Sequence, residues 1–429
     1  MENEGDRVFV NPENRKSSAH LITKSQVIAD LHIHSRFSRA TSKDLNLENL
    51  EKYARIKGVD ILGTGDFQHP KWSEELDKLD EREGILHSQS GFKFVWQTEI
   101  SLMYSQDGKG RRVHLIILAP NKEVAKQITE FLGSKGRLDY DGRPIFGFSS
   151  IELVAELMKI SPKIEIIPAH IWTPWFGVFG SNSGFDSLKD AFGDQAKNIH
   201  AIETGMSSDP KMNWRIKELD DKSIVSFSDL HSFWPWRIGR EATILNPISS
   251  YDDLIRQIRE KSFLGTIEVD PAYGKYHWDG HRNCNFSCSP EKSKELGGKC
   301  PQCGKSLTIG VEYRVEELAD KERGFGFNLN HGKKFHKLLP LHELIVLAYS
   351  MGIATKRSWE IYNHLIEKFG NEFNVLLNVG EQDLARNFPK ENLLRDLILK
   401  NRIGKISVRP GFDGEYGVAV LDAQQKTLF

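Results

Sequence analysis

Between Val27 and Thr266 the chain alternates short apolar runs with longer stretches whose apolar residues return every three or four positions. The runs are Val27–Leu31, Asp60–Gly63, Phe92–Gln97, Val113–Leu118, Ile164–Pro168, Ile199–Glu203 and Ile224–Phe227, and they read as short strands. The periodic stretches predict helices over Leu47–Ile56, Ile151–Met158, Trp214–Leu219 and Asp252–Glu260. Such alternation predicts an α/β domain with mostly parallel strands, and seven strands fit a barrel. In α/β barrels the chemistry sits on the loops that follow the strands.

After this region the pattern changes twice. Gly280 to Tyr313 is small, polar and contains every cysteine of the chain. From Leu338 the helical period returns. Leu341, Leu344, Ile345 and Ala348 share one face, and Gly352 interrupts it. Trp359, Tyr362, Leu365, Ile366 and Phe369 form a second face, stopped by Gly370. The expected organisation is therefore a polar N-terminal extension (1–26), a barrel (27–279), a cysteine-bearing module (280–313), a helical C-terminal domain (314–421) and a short tail (422–429).

Length and composition fit this division. A chain of 429 residues with 39% hydrophobic content can build two or three cores. No apolar run approaches the ~18 residues of a membrane span, and the polar start lacks the pattern of a secretory signal. A cytoplasmic protein with no membrane partner is expected. A net charge of −1 argues against a chain devoted to coating nucleic acid. Within it, however, His331 to Pro410 holds a surplus of Lys and Arg able to track phosphates.

The strand ends carry the chemistry. The first closes with Asp30-Leu31-His32-Ile33-His34. Alternate strand residues share a face, so His32 and His34 form a natural metal-binding pair. Later ends supply Asp66 with His69 nearby, Glu99, His170, Glu203, and Asp229 with His231, while His114 begins a strand. A lone histidine after a strand is more often structural. So many costly polar groups gathered at successive strand ends point to a site. Imidazole and carboxylate donors without thiolate suit zinc, manganese or iron, with magnesium as an activator. Their number calls for two or three ions, with Glu99 placed to bridge two of them. Ions so placed clamp the attacking and leaving oxygens of a phosphoryl transfer and activate water. Asp229, Glu99, His32 and Asp66 are the expected catalytic set.

Around them, Arg36, Arg39, Lys43, Arg237 and Arg240 are candidates for phosphate oxygens. Trp172, Trp175, Phe176, Phe179, Phe233, Trp234 and Trp236 follow His170 and His231, either as platforms for an unstacked base, Trp172 foremost, or as the packing of a lid. Thr355 can cap a helix whose N-terminus, with Lys356 and Arg357, would take a phosphate. Cys284-x3-Cys288 and Cys300-x2-Cys303 have the spacing of a ribbon with one structural zinc.

The set Asp30-Leu31-His32-Ile33-His34, Gly65-Asp66, Glu99, His114, Pro168-Ala169-His170 and Ser228-Asp229-Leu230-His231 resembles the successive motifs of the PHP superfamily. That resemblance implies a distorted (β/α)7 barrel with a trinuclear site, and makes His32, His34, Glu99, His114, His170, Asp229 and His231 ligands. Many PHP enzymes have Asp-His directly after the second main strand. Here the run is Asp66-Phe67-Gln68-His69, which leaves open whether Asp66, His69 or both bind metal.

The tail Gln425-Lys426-Thr427-Leu428-Phe429 is similar to bacterial sliding-clamp binding motifs, with Leu428 and Phe429 entering an apolar pocket and Gln425 fixing register. The combination of PHP barrel, four-Cys insert, helical domain and clamp-like tail resembles the endonuclease Q family over nearly the whole chain, as do Asp209-Pro210-Lys211-Met212-Asn213 and Ile238-Gly239-Arg240-Glu241-Ala242. The resemblance implies a DNA repair endonuclease that cleaves the phosphodiester 5′ of uracil, hypoxanthine, xanthine or an abasic site. The alternative on the same barrel is a small-molecule phosphomonoesterase.

Overall fold

The computed structural model describes residues 26–421. The N-terminal extension up to residue 25, and Gln425, Leu428 and Phe429 of the tail, lie outside the described residues.

The α/β core forms largely where the apolar runs place it. Val27–Asp30 pairs in parallel with Ile61–Gly63, and that strand in parallel with Lys93–Val95. Ala201–Glu203 pairs in parallel with Ser223–Val225 and packs beside Glu165–Pro168. Neighbouring residues of each strand fall into two different apolar clusters. Ile28, Leu62, Phe94, Ile117, Ile166 and Ile202 lie in one, and Ala29, Ile61, Val95, Ile116, Ile167 and Ala201 in the other. Side chains alternate across a strand, so both faces of the sheet are buried, and this is why the strands read as continuous apolar runs.

Two reversals depart from the expected parallel order. Gln97–Gln106 and Lys109–Leu118 form an antiparallel hairpin. Its link is Asp107 (φ 54°) and Gly108 (φ 72°), the left-handed pair that a tight two-residue hairpin turn requires. Glu165–Pro168 then runs antiparallel to the second arm. Likewise, Ala242–Leu245 lies antiparallel between Val27–Asp30 and Gly265–Glu268.

The helices Leu47–Lys57, Ser150–Ile160 and Tyr251–Arg259 match expectation, while Lys122–Lys135 was not anticipated. The helix expected over Trp214–Leu219 does not form. Asp209 caps a single turn, Pro210–Asn213, and Lys217–Leu219 is a 3₁₀ turn. The stretch 314–421 is also not purely helical. Lys334–Lys337 joins the edge of the eight-stranded sheet parallel to Gly265–Glu268, and Ser407–Arg409 pairs with Val418–Val420. Between them, the helices Leu341–Tyr349, Lys356–Phe369 and Asn392–Arg402 pack together. Among the described residues, no helix is long and apolar enough to cross a membrane.

Candidate metal centre

The loops after the strands converge on a buried cluster of imidazoles and carboxylates. His32 and His34 leave the first strand on one face, and each is held from behind by a carboxylate. Glu203 accepts from His32 Nδ1 at 2.9 Å, and Asp66 meets His34 Nδ1 at 3.2 Å. These contacts aim both Nε2 atoms inward. His32 Nε2 is buried and has no hydrogen-bond partner, which in a polar cluster marks a donor atom awaiting a cation.

Two donor groups result, and they share Glu99. Donor atoms of His32, His34, Glu99 and Asp229 lie within 4.8 Å of one another, and so do those of Glu99, His114 and His170. His34 Nε2 is 3.1 Å from Asp229 Oδ1 and 3.2 Å from Glu99 Oε2. Glu99 Oε1 is 2.8 Å from His114 Nδ1 and 3.3 Å from His170 Nε2. The donor chemistry therefore fits divalent ions held by two groups that share one carboxylate.

Electrostatics reinforce this arrangement. Burial opposes charge on Glu99, yet His114, Arg143 and His32 hold its carboxyl well below the ordinary range. Burial also opposes charge on His32, but Glu203, Asp229 and Glu99 raise it well above its ordinary value. For His114 burial wins and lowers it to about 4, leaving a neutral imidazole suited to a metal. Three residues at the strand ends hold left-handed backbone, Asp66 (φ 43°), His170 (φ 30°) and Asp229 (φ 46°). Such conformations cost free energy and cluster at sites the surrounding fold over-determines.

Several expected site residues sit elsewhere. Asp66 stands behind His34 and accepts from Ser35 N at 2.7 Å and Ser38 Oγ at 2.9 Å; it belongs to neither donor group. His69 is stacked on Phe37 at 4.3 Å and precedes the helix Pro70–Leu76. His231 lies against the His34 ring at 4.7 Å, with Nδ1 turned to the carbonyl of Asp229 at 3.0 Å, outside both groups. Arg36 is paired with Glu75 and Arg39 with Asp141, while Lys43 is exposed. Arg240 donates twice to the Ser228 carbonyl, at 3.0 and 2.8 Å. With Arg237, Trp236, Tyr273 and Glu343 it lines a cavity of about 160 Å³ between the α/β core and the helical segment.

Trp172 does not offer a platform. It is wholly buried and its Nε1 donates to Asn213 Oδ1 at 2.8 Å. Phe179 and Phe233 are buried too, leaving Trp175 exposed. Lys356 and Arg357 are exposed at a helix start that Thr355 caps through Ser358 N at 3.2 Å.

The cysteine module also differs from its spacing. The four donor atoms that converge belong to His281, Cys284, Cys300 and Cys303, with His281 Nδ1 3.5 Å from Cys303 Sγ. Cys288 packs in the same small apolar cluster, but it pairs across the hairpin with Asp279 and is not among the four. Three residues, two at the buried centre and one in the cysteine module, escaped the sequence reading of roles. They are Glu203, Arg143, whose Nη1 donates to Glu99 Oε2 at 3.0 Å, and His281. The carboxylate at a strand end was the available signal for Glu203; Arg143 and His281 had none beyond residue type.

A buried meeting of imidazoles and carboxylates on the loops of an α/β core defines a candidate metal-dependent hydrolase. Comparison with solved structures narrows the class, and the chain is endonuclease Q-like. It is similar to the lesion-specific endonuclease PfuEndoQ of Pyrococcus furiosus, with a TM-score of 0.83 and 28% identity over 94% of this chain and 96% of that one. It is likewise similar to endonuclease Q in complex with a 27-mer duplex bearing an abasic lesion at the active site, with a TM-score of 0.82 and 28% identity over 93% and 98% of the two chains. Residues 340–390 match the family described as the MJ0043 C-terminal domain. The uncharacterized protein MJ0043 of Methanocaldococcus jannaschii is 35% identical over 255 residues, which span 57% of this chain but only 31% of that protein. The uncharacterized protein YqxK of Bacillus subtilis is 26% identical over 416 residues, covering 91% of this chain and 98% of its own.

Proposed function

We propose that this protein is a metal-dependent endodeoxyribonuclease of DNA repair that hydrolyses the phosphodiester 5′ of a deaminated base (uracil, hypoxanthine or xanthine) or of an abasic site. The observation that carries the reading is the pair of donor groups sharing Glu99, set in a fold that matches, over 93% of the chain, an endonuclease Q seated on an abasic duplex.

In this reading His32, His34, Glu99 and Asp229 hold one divalent ion, and Glu99, His114 and His170 a second. Bound there, zinc, manganese or iron would polarise the phosphate and lower the pKa of a coordinated water. The remaining work belongs to the chain. Glu203 and Asp66 fix the tautomers of His32 and His34, so that each presents Nε2. His231 closes the side of the cluster next to His34. Arg237 and Arg240 line the adjoining cavity with cationic donors for the strand or its extruded base. Lys356 and Arg357, at a capped helix start, take a flanking phosphate. One structural zinc holds the 280–313 module through His281 and three cysteines. The tail, through Gln425, Leu428 and Phe429, binds a sliding clamp.

The test is nicking of end-labelled duplexes that carry a single uracil, hypoxanthine or abasic site, with Zn²⁺ or Mn²⁺ added, beside Asp229→Ala. A nick 5′ of the lesion that disappears in the variant is expected. Hydrolysis of a small phosphomonoester with every duplex left intact would overturn the reading.

A further inference from the structure

Every arginine expected at the mouth from sequence is either engaged elsewhere or set to one side in the Arg237/Arg240 cavity. One that was not expected points at the metal donors. Arg143 Nη1 donates to Glu99 Oε2 at 3.0 Å, and its side chain is 25% exposed where that of Glu99 is 0% exposed. The guanidinium thus touches the buried shared carboxylate while remaining partly open to solvent itself.

The segment carrying it is built to hold it there. Asp141 is buried, and its Oδ1 accepts from the backbone N–H of Arg39 and of Arg143, both at 3.1 Å. Gly142 N donates to Phe37 O at 2.9 Å, and Gln68 Nε2 donates to Gly142 O. A Cβ on Gly142 would lie 2.2 Å from Asp66 Oδ2 and 2.5 Å from Ser38 Oγ, so the backbone can approach this closely only as glycine. Beyond Arg143, Pro144 O accepts from Ser101 N at 3.1 Å, and Ile145 pairs with Ser101, two residues past Glu99 on the same strand. Both flanks of Arg143 are therefore locked to the elements that carry Asp66 and Glu99.

We infer that Arg143 is a catalytic residue that donates to a non-bridging oxygen of the phosphate being cleaved. The inference rests on the phosphoesterase reading of the centre. Nη1 is engaged by Glu99, and in this reading the other N–H groups of the guanidinium serve the substrate. As the water oxygen bonds to phosphorus and the bond to the leaving sugar oxygen breaks, charge gathers on the non-bridging oxygens. Arg143 stabilises that charge and transfers no proton, since its guanidinium stays protonated throughout.

The experiment uses the full chain loaded with Mn²⁺ and compares Arg143→Ala, Arg143→Gln and Arg143→Lys with Arg137→Ala, a control in the same loop whose side chain pairs with Asp139 at the surface. Binding of inorganic phosphate, read by titration calorimetry, is expected to weaken about ten-fold in Arg143→Ala and Arg143→Gln, to recover in part in Arg143→Lys, and to stay unchanged in Arg137→Ala. Metal content by mass spectrometry is expected to match the unaltered protein in all four. Single-turnover nicking of a lesion duplex should fall about 10²- to 10³-fold in Arg143→Ala, with duplex affinity nearly constant. Phosphate binding within about two-fold of the unaltered protein in both neutral variants, or loss of metal from them, would overturn the inference, the second result making Arg143 a structural partner of Glu99. If no duplex is nicked by the unaltered protein while phosphate binding still depends on Arg143, the lesion reading fails and this inference stands.

Discussion

His32 and His34 are two residues apart, yet two distant carboxylates fix their rings. Glu203 holds His32 and also accepts the His170 N–H at 2.6 Å, so one side chain positions a histidine from each donor group. Glu203→Gln keeps the shape but puts an amide where a carboxylate stood. Metal affinity should fall about 10- to 100-fold, as for other outer partners of metal-bound histidines. Competition against a calibrated chelator measures it, and an unchanged affinity would mean that ring orientation is set by packing alone. Behind Glu203 lies a second buried carboxyl, Glu241, which accepts from Met206 N at 2.7 Å and Val269 N at 3.1 Å. Burial pushes it from 4.5 up to about 8. The folded state therefore keeps a proton that the unfolded chain has already released, and stability is lost as pH rises from about 4.5 through about 8. Urea unfolding across that range should show a shallower decline for Glu241→Gln; parallel curves for the two proteins would remove Glu241 as the cause. At this scale the histidines were legible, because strand alternation puts i and i+2 on one face. Arg143 was not, since its role arises from a loop pinned by Asp141 and Gly142, and no local pattern encodes that.

The cysteine module shows how a hairpin can override spacing. Strand Asp279–His281 ends at His281, and a 3₁₀ turn over Arg282–Cys284 folds Cys284 back beside it. Strand Phe286–Cys288 then carries Cys288 back along the ladder to face Asp279. Counting residues between cysteines could not reveal this, because the turn and the strand between them set the distance. His281→Ala should therefore release the zinc and Cys288→Ala should retain it, as read by metal content after gel filtration. Retention in the first and loss in the second would restore the four-cysteine set. The core strands were legible because both of their faces are buried. The reversal at Asp107-Gly108 was written in the dipeptide, a strong hairpin signal, which a reading centred on β–α alternation passes over. Trp172 misled for the opposite reason: an aromatic residue after a site histidine looks the same in sequence whether it lines the mouth or packs beneath it, and here Asn213 satisfies its indole from within.

Across the whole molecule, the α/β core and the C-terminal helices are joined by a buried charge pair that links residues more than three hundred positions apart. Lys57 ends the helix Leu47–Lys57, and its Nζ donates to Glu372 Oε1 at 2.6 Å and to Pro235 O at 2.8 Å. Glu372 in turn accepts from Leu341 N at 2.9 Å and from the Tyr362 hydroxyl at 2.8 Å. Lys57, Leu341 and Tyr362 thus converge on one carboxylate, and Lys57 also holds the loop that follows His231. Sequence periodicity announced the helices but not this junction, since a lysine at a helix end ordinarily reads as a solvated charge. Both partners are almost fully buried, with side-chain exposures of 1% and 0%, so removing one leaves the other desolvated without its counter-charge. Lys57→Met should cost about 3–5 kcal/mol. Lys57→Met with Glu372→Gln should cost less than the two single changes added together, because no uncompensated charge then remains. A double-mutant cycle in urea unfolding reads the coupling directly. Additivity would mean that Lys57 and Glu372 are neighbours without being partners, and the helical segment would then be held to the α/β core mainly by the aromatic stack of Trp234, Trp236 and Trp359. A coupling of several kcal/mol would make this pair the joint that keeps the Arg237/Arg240 cavity assembled beside the metal donors.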